Sequence, residues 1–285
     1  MLQDIPEETV MNPILRLFFL FLFFGGMAAV VLSRFYVFFE QVYASKYKKP
    51  FFLHKKITYR QLSKLELAVL ESQFSFYNKL TAKEKKRFQH RVSVFINNKQ
   101  FVGRQDLELT TDMYVLISAT AVMLTFGFRK YLIDLIDVII VYPEAFYSTT
   151  NETHHKGEFN PKLKSLVISW QHFKEGYDIE NDNLNLGVHE FAHAIHLSSF
   201  NNEDISAIIF NESFQELTSY LSKNESLRLR LIESKYFREY AYTNQYEFIA
   251  VIIENFIETP KQFKAQFPQL YLKTKQMLNF NFAGY

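Results

Sequence analysis

Residues 181–200 read NDNLNLGVHEFAHAIHLSSF. Asp182 or Asn183 suits an N-cap, and Leu184, Val188, Phe191, Ala192 and Ile195 recur at helical spacing. On such a helix His189 and His193 are i,i+4 neighbours on one face, with Cβ atoms roughly 5–6 Å apart. Two imidazoles at that spacing close on one tetrahedral zinc, leaving room for a water and a further protein ligand. Glu190 lies a fraction of a turn away, where its carboxylate can take a proton from that water. A five-residue motif also arises by chance. The matching helical context argues against chance, and the stretch reads as a zinc hydrolase site.

A catalytic zinc needs three protein ligands. On a straight helix His196 rises about 10 Å from His189, too far for both to reach one ion. The longer pattern HExxHxxGxxH is absent, because His196 and Ser199 stand where its glycine and last histidine belong. A carboxylate from another helix is therefore expected. Glu247 fits, in AYTNQYEFIAVIIENFIETP (241–260), where Phe248, Ile249, Ile252, Phe256 and Ile257 form an apolar helix stopped by Pro260. A charge on such a helix is costly unless it is paired or bound to metal. The bland reading of Asn244-x-x-Glu247 is a capping box, and pattern alone leaves Glu212, Glu216 and Glu254 open as well.

The chain has 285 residues, 48% hydrophobic and 17% aromatic, enough for one large domain or two small ones. A net charge of +2 with mixed signs gives no argument for nucleic acid. The absence of cysteine excludes disulfides and Cys-ligated zinc. Residues 17–39, LFFLFLFFGGMAAVVLSRFYVFF, carry one charge, Arg34. About 23 residues at 1.5 Å rise span roughly 34 Å, enough to cross a bilayer. Arg34 can snorkel toward the headgroups, and Tyr36 and Tyr43 suit the interface. A cleaved signal peptide fits poorly, since Asp4, Glu7 and Glu8 outnumber Arg16 ahead of the apolar run and no small-x-small site follows. A buried core helix would seldom be apolar all round. Arg16 stands alone before the span; Arg34, Lys46, Lys48, Lys49, Lys55, Lys56 and Arg60 lie toward or beyond its end. The positive-inside rule then puts the bulk of the chain in the cytoplasm, with a basic stretch suited to anionic headgroups or to a solvated linker.

Residues 57–96 read as helices: Leu62, Leu65, Leu67, Leu70, Phe74 and Tyr77 keep helical spacing, and Thr81-x-x-Glu84 is a capping box. Asn97-Asn98 and Gly103 mark turns. Leu107–Phe128 resumes as a buried helix; Asp112 and several hydroxyls interrupt it, which favours core over a second span. Val138–Tyr142 is a strand signal stopped by Pro143, and Leu166–Trp170 is a second. Thr149–Lys156 between them suits a hairpin or loop, where His154 and His155 read as solvated. Trp170 reads as core. Two short strands beside a motif-bearing helix are a common zinc-peptidase arrangement.

These residues resemble a known family. From about Tyr47 to Tyr271 the chain is similar to the MtfA-like zinc peptidases, named for the Mlc titration factor. The resemblance is carried by FVGRQDLEL (101–109), VYPEAF (141–146), LVISW (166–170), HEFAH, and above all YAYTNQYEFIAVIIENFIETPKQFKAQFPQL (240–270). It implies that His189, His193 and Glu247 hold zinc, that Glu190 is the general base, and that Tyr240 belongs to the active site. It also implies a zincin core, aminopeptidase action on short peptides, and, from one member, binding of a glucose-responsive transcriptional repressor. The membrane segment lies outside the resemblance, and Ala194-Ile195-His196 departs from the family's usual Lys-Leu-Asp.

The expected architecture is a helix-rich α+β fold with a zincin-like (gluzincin) core and small sheet, preceded by one transmembrane helix. Its parts are a tail (1–16), the span (17–39), a basic juxtamembrane linker (40–56) and the peptidase domain (57–285). Within that domain a helical part runs to about 135 and the zincin core follows. The expected activity is a Zn2+ metallopeptidase cutting peptide or protein substrates, single-pass in a bacterial inner membrane with the catalytic domain in the cytoplasm. The rival is a module that sequesters a transcriptional regulator at the membrane.

Overall fold

The computed structural model describes residues 12–53, 58–148, 153–178, 182–200, 202 and 204–285. In chain order the helices are α1 (Pro13–Tyr47), α2 (Lys64–Gln73), α3 (Ser75–Asn78) and α4 (Ala82–Asn98). Strand β1 (Gln100–Gly103) and helix α5 (Thr111–Leu124) follow. Next come β2 (Val138–Tyr142), β3 (Phe146–Ser148), β4 (Thr153–His155), β5 (Gly157–Asn160) and β6 (Ser165–Ser169). The rest is helical: α6 (Trp170–Asp178), α7 (Leu186–Phe200), α8 (Ile205–Lys223), α9 (Glu225–Ser234), a 3-10 turn at Glu239–Tyr242, α10 (Gln245–Glu258), α11 (Pro260–Gln266) and α12 (Pro268–Met277). The fold is helix-rich α+β, as the sequence pattern predicts.

The sheet has the order β1-β2-β6-β5; β1, β2 and β6 run parallel, and β5 pairs antiparallel with β6 at one edge. Strand β2 falls where its apolar run places it. Strand β6 ends at Ser169, and Trp170 opens α6 instead of closing the strand. The expected hairpin is the β3–β4 pair, with Phe146 opposite His155. Its turn, 149–152, lies outside the described residues. Strands β1 and β5 carry no signal in the sequence, because four residues are too few to show a period of two.

Capping boxes at Ser63–Glu66 and Thr81–Glu84 start α2 and α4. Helix α5 is almost wholly buried, and the turn that follows it is buried too, so the carbonyls of that turn need partners inside the protein. Arg91 of α4 supplies them. Its guanidinium donates to the carbonyls of Thr125 (2.9 Å), Phe126 (3.0 Å) and Phe128 (2.7 Å). Burial pulls the Arg91 pKa down to about 10, still charged at neutral pH.

Helix α1 differs from the expected 17–39 span in running from Pro13 to Tyr47, well into the stretch expected as a linker. It is long and apolar enough to cross a membrane, and its most apolar stretch is not buried against the chain. The extra turns form because Glu40, Ala44, Ser45 and Lys48 find partners on the folded domain. Lys48 closes the helix in a left-handed conformation (φ 51°), its N–H bonded to the Ala44 carbonyl.

Arg91→Met should lower the unfolding free energy by about 3 kcal/mol, since it strips hydrogen bonds from buried carbonyls. Urea titration measures this; an unchanged midpoint would refute the role given to Arg91.

Candidate metal centre

Two helices meet at the site. Helix α7 begins one turn later than its expected cap. Asn185 is the cap: its side chain accepts from the Val188 N–H (3.0 Å) and its carbonyl accepts from the His189 N–H (2.9 Å). Asp182 bonds the Leu184 N–H, so both belong to the approach turn, with Asn183 in the left-handed region. Helix α10 is capped by Asn244, whose Oδ1 accepts from the N–H groups of Tyr246 and Glu247. The bland reading of Asn244-x-x-Glu247 is thus half realised. The backbone of Glu247 takes the cap, and its carboxylate turns to the histidines.

His189, His193 and Glu247 come together. His189 Nε2 is 3.1 Å from His193 Nε2 and 3.1 Å from Glu247 Oε2, and His193 Nε2 is 3.5 Å from the same oxygen. Three donors each about 2.1 Å from a tetrahedral ion stand about 3.4 Å apart. Glu247 Oε2 is buried with no hydrogen-bond partner among the described residues. An oxygen left bare between two ring nitrogens fits a cation. Burial opposes ionisation of Glu247, but the two histidines outweigh it and hold its pKa well below the usual carboxylate range.

The far side of His189 is also defined. Its Nδ1 meets Glu254 Oε1, and that carboxylate, 1% exposed, also accepts from Arg238 Nη2 at 2.9 Å. Arg238 Nη2 stands 3.1 Å from Nδ1, and Nη1 reaches the Asn183 carbonyl at 3.3 Å. With the Nδ1 proton directed to Glu254, Nε2 presents a lone pair to the centre. Burial pulls the His189 pKa down, yet Glu247 and Glu254 together raise it to about 9.

Glu190 is buried beside the pair, and burial raises its pKa despite the neighbouring histidines. It lines an open cleft of about 500 Å³ with His189, Arg238 and Tyr240, bordered by Lys156 and Gly157. A Cβ at Gly157 would stand 2.8 Å from Glu190 Cγ, so the edge strand approaches only as glycine. Tyr240 is half exposed, its ring centroid 6.2 Å from that of His189. Partial burial and then Glu247 raise its pKa to about 12, so the phenol keeps its proton at neutral pH.

The other sequence candidates lie elsewhere. Glu212 and Glu216 pair with Lys48. His154 and His155 sit on β4 and are not in the cluster. His196 packs among Phe200, Phe210, Phe214 and Tyr246, and neither ring nitrogen has a hydrogen-bond partner among the described residues. Arg238, Gly157 and Asn185 were not anticipated. Of these only Asn185, a cap-type residue just ahead of the helix, left a trace in the sequence.

Residues 49–278 match the family model described as glucose-regulated metallo-peptidase M90. The chain is also 25% identical over 231 residues to a Synechocystis protein called "Uncharacterized protein slr2042", covering 76% of this chain and 84% of that one.

Glu247→Ala should abolish metal retention. Glu254→Ala should weaken it about 10–100-fold, since it removes only the partner of a histidine. Dialysis against chelator followed by metal analysis compares them, and equal losses would overturn the assignment. His196 supplies a pH test. Burial, then His193, lowers its pKa from 6.5 to about 4. Below pH 6.5 the unfolded chain takes up a proton that the folded chain refuses. Stability should therefore fall between pH 6.5 and 4, by on the order of 3 kcal/mol. His196→Leu should flatten that slope in urea titrations, and an unaltered slope would remove His196 as its source.

Proposed function

Because the chain belongs to the glucose-regulated metallopeptidases of family M90, we propose that it is a membrane-anchored zinc peptidase working at His189, His193 and Glu247. The observation that carries this is the convergence of three ligand-type atoms beside Glu190 in an open cleft. Zinc is favoured by the two-imidazole, one-carboxylate donor set, and when bound it would activate water and polarise the scissile carbonyl.

The chain's own groups supply the rest. Glu190 accepts the proton of the attacking water and delivers it to the leaving amine. Its raised pKa helps it hold that proton between the two steps. Tyr240, in the cleft wall beside His189, would donate a hydrogen bond to the oxyanion that develops on the carbonyl. Glu254 and Arg238 hold the His189 ring in the orientation that presents Nε2. Strand β5 is the last in the sheet order and borders the cleft through Gly157, where an extended peptide would pair with it. Glu175 and Asp182 in the cleft wall suit a free α-amine, which supports aminopeptidase-like action.

Helix α1 is the membrane anchor in this reading, supported by its length and its apolar surface. The basic residues beyond the span put the catalytic domain on the cytoplasmic side.

Glu190→Gln should abolish peptide hydrolysis while metal content stays at the wild-type level; retained turnover would sink the mechanism. Tyr240→Phe should cut kcat about 10²–10³-fold with metal and thermal stability unchanged. A wild-type kcat would return Tyr240 to a packing role.

A further inference from the structure

We propose that the end of α1 is a rigid mount that holds the cleft at a set height above the bilayer. The substrates so selected are polypeptides tethered in the same membrane and cut at a segment standing several residues clear of it. The proposal rests on the membrane-anchored peptidase reading above.

The joint is built over three successive turns. Glu40, the first residue after the apolar run, is 5% exposed and takes both Nη atoms of Arg129 in its carboxylate. Arg129 also donates to the Phe52 carbonyl from Nε (3.1 Å) and Nη2 (3.0 Å), and its backbone N–H bonds Ser206 of α8 (2.8 Å). One turn on, Ala44 is fully buried against Ile205 and Ile209. Ser45 then donates to Glu212 (2.6 Å), and Lys48 spans Glu212 (2.7 Å) and Glu216 (2.9 Å). The helix is unbroken from Pro13 to Tyr47. A flexible tether would need none of these contacts.

The same contacts give the height. Ala44 meets Ile205 and Ile209, and Lys48 meets Glu212 and Glu216, so α1 and α8 run in the same direction. Helix α7 returns antiparallel to α8, with His196 against Phe210 and Phe214 and Ser199 bonded to Asn211. The end of α7 therefore lies near the level of Glu40, where the apolar run stops. His189 is 11 residues back from Phe200 (200 minus 189), which is roughly 16 Å along the helix axis. The metal centre then stands at most on the order of 15–20 Å above the apolar boundary, the full value holding where α7 keeps the axis of α1. An extended chain rises about 3.3 Å per residue, so a membrane-tethered substrate needs about five or six residues to reach it.

The chain has no cysteine, so paired labels are unambiguous. Spin labels at Met27→Cys and Leu163→Cys, both exposed positions, report the geometry of the full chain in phosphatidylcholine–phosphatidylglycerol vesicles. Pulsed electron resonance should give one narrow distance, and a short Gly-Ser insertion between Phe39 and Glu40 should broaden it. The insertion lies ahead of Glu40, Ala44, Ser45 and Lys48 and leaves their contacts with the domain in place, so loss of folding does not confuse the result. In the second arm, a peptide that the protein cleaves in solution is displayed on a single-span anchor with spacers of about two to about twelve residues. Cleavage should collapse below about five residues, where the linker cannot span the gap. The insertion variant should regain the short spacers, with turnover of the free peptide unchanged. A broad distance in the unmodified chain, or cleavage indifferent to spacer length, would overturn the mount while leaving the peptidase standing. A chain that does not float with the vesicles would remove the anchor itself, and the mount with it.

Discussion

Once the proton that Glu247 and Glu254 favour on His189 is given up, two imidazole nitrogens and a carboxylate oxygen held within 3.5 Å of one another are mutually unfavourable. Like-signed partial charges at such distances cost a few kcal/mol at a protein-like dielectric. Something else must hold α7 and α10 together. The core does this: Phe191, Ala192 and Ile195 on α7 and Ile249, Ile252, Ile253 and Phe256 on α10 are all buried. Each large apolar side chain contributes about 1.5–3 kcal/mol on burial, so their sum exceeds the repulsion several-fold. The apolar faces place the donors, and a cation then relieves the conflict they create.

That division explains what the sequence made legible. His189 and His193 could be read because helical periodicity alone puts them on one face. Glu247 could be ranked but not chosen, since its pattern served equally for a cap. The ambiguity is real, because Asn244 does cap the helix with its own amide oxygen. Glu212 and Glu216 could not be dismissed from the pattern: their partner, Lys48, lies more than 160 residues away in a stretch that reads as solvated. Arg238 gave no signal, because a guanidinium that reaches back to a buried carboxylate on the next helix leaves no spacing rule. Gly157 is silent for the same reason; its role is an absence of volume against Glu190.

The N-terminal helix runs further than the sequence pattern suggests, and the reason is electrostatic. Seven basic residues in and after the apolar run look like a solvated linker if each is counted alone. Yet the groups that decide the local structure there are Glu40, just past the run, and Arg129 in a distant loop. A carboxylate as buried as that of Glu40 is costly unless paired. Pairing it with a residue of the folded domain turns an expected hinge into helix.

Helix α8 is what makes these two ends one mechanism. It packs against α1 on one side, α7 on another and α12 on a third. Its acidic side takes Lys48, while its aromatic side, Phe210 and Phe214, closes on His196 one turn beyond His193. The element that fixes the end of α1 therefore also supports the helix bearing the histidines. A shift of α8 along α1 cannot occur without moving the wall behind His193, because close-packed side chains transmit displacement rather than absorb it. Helix α1 and the candidate metal site share one wall, which follows from packing alone.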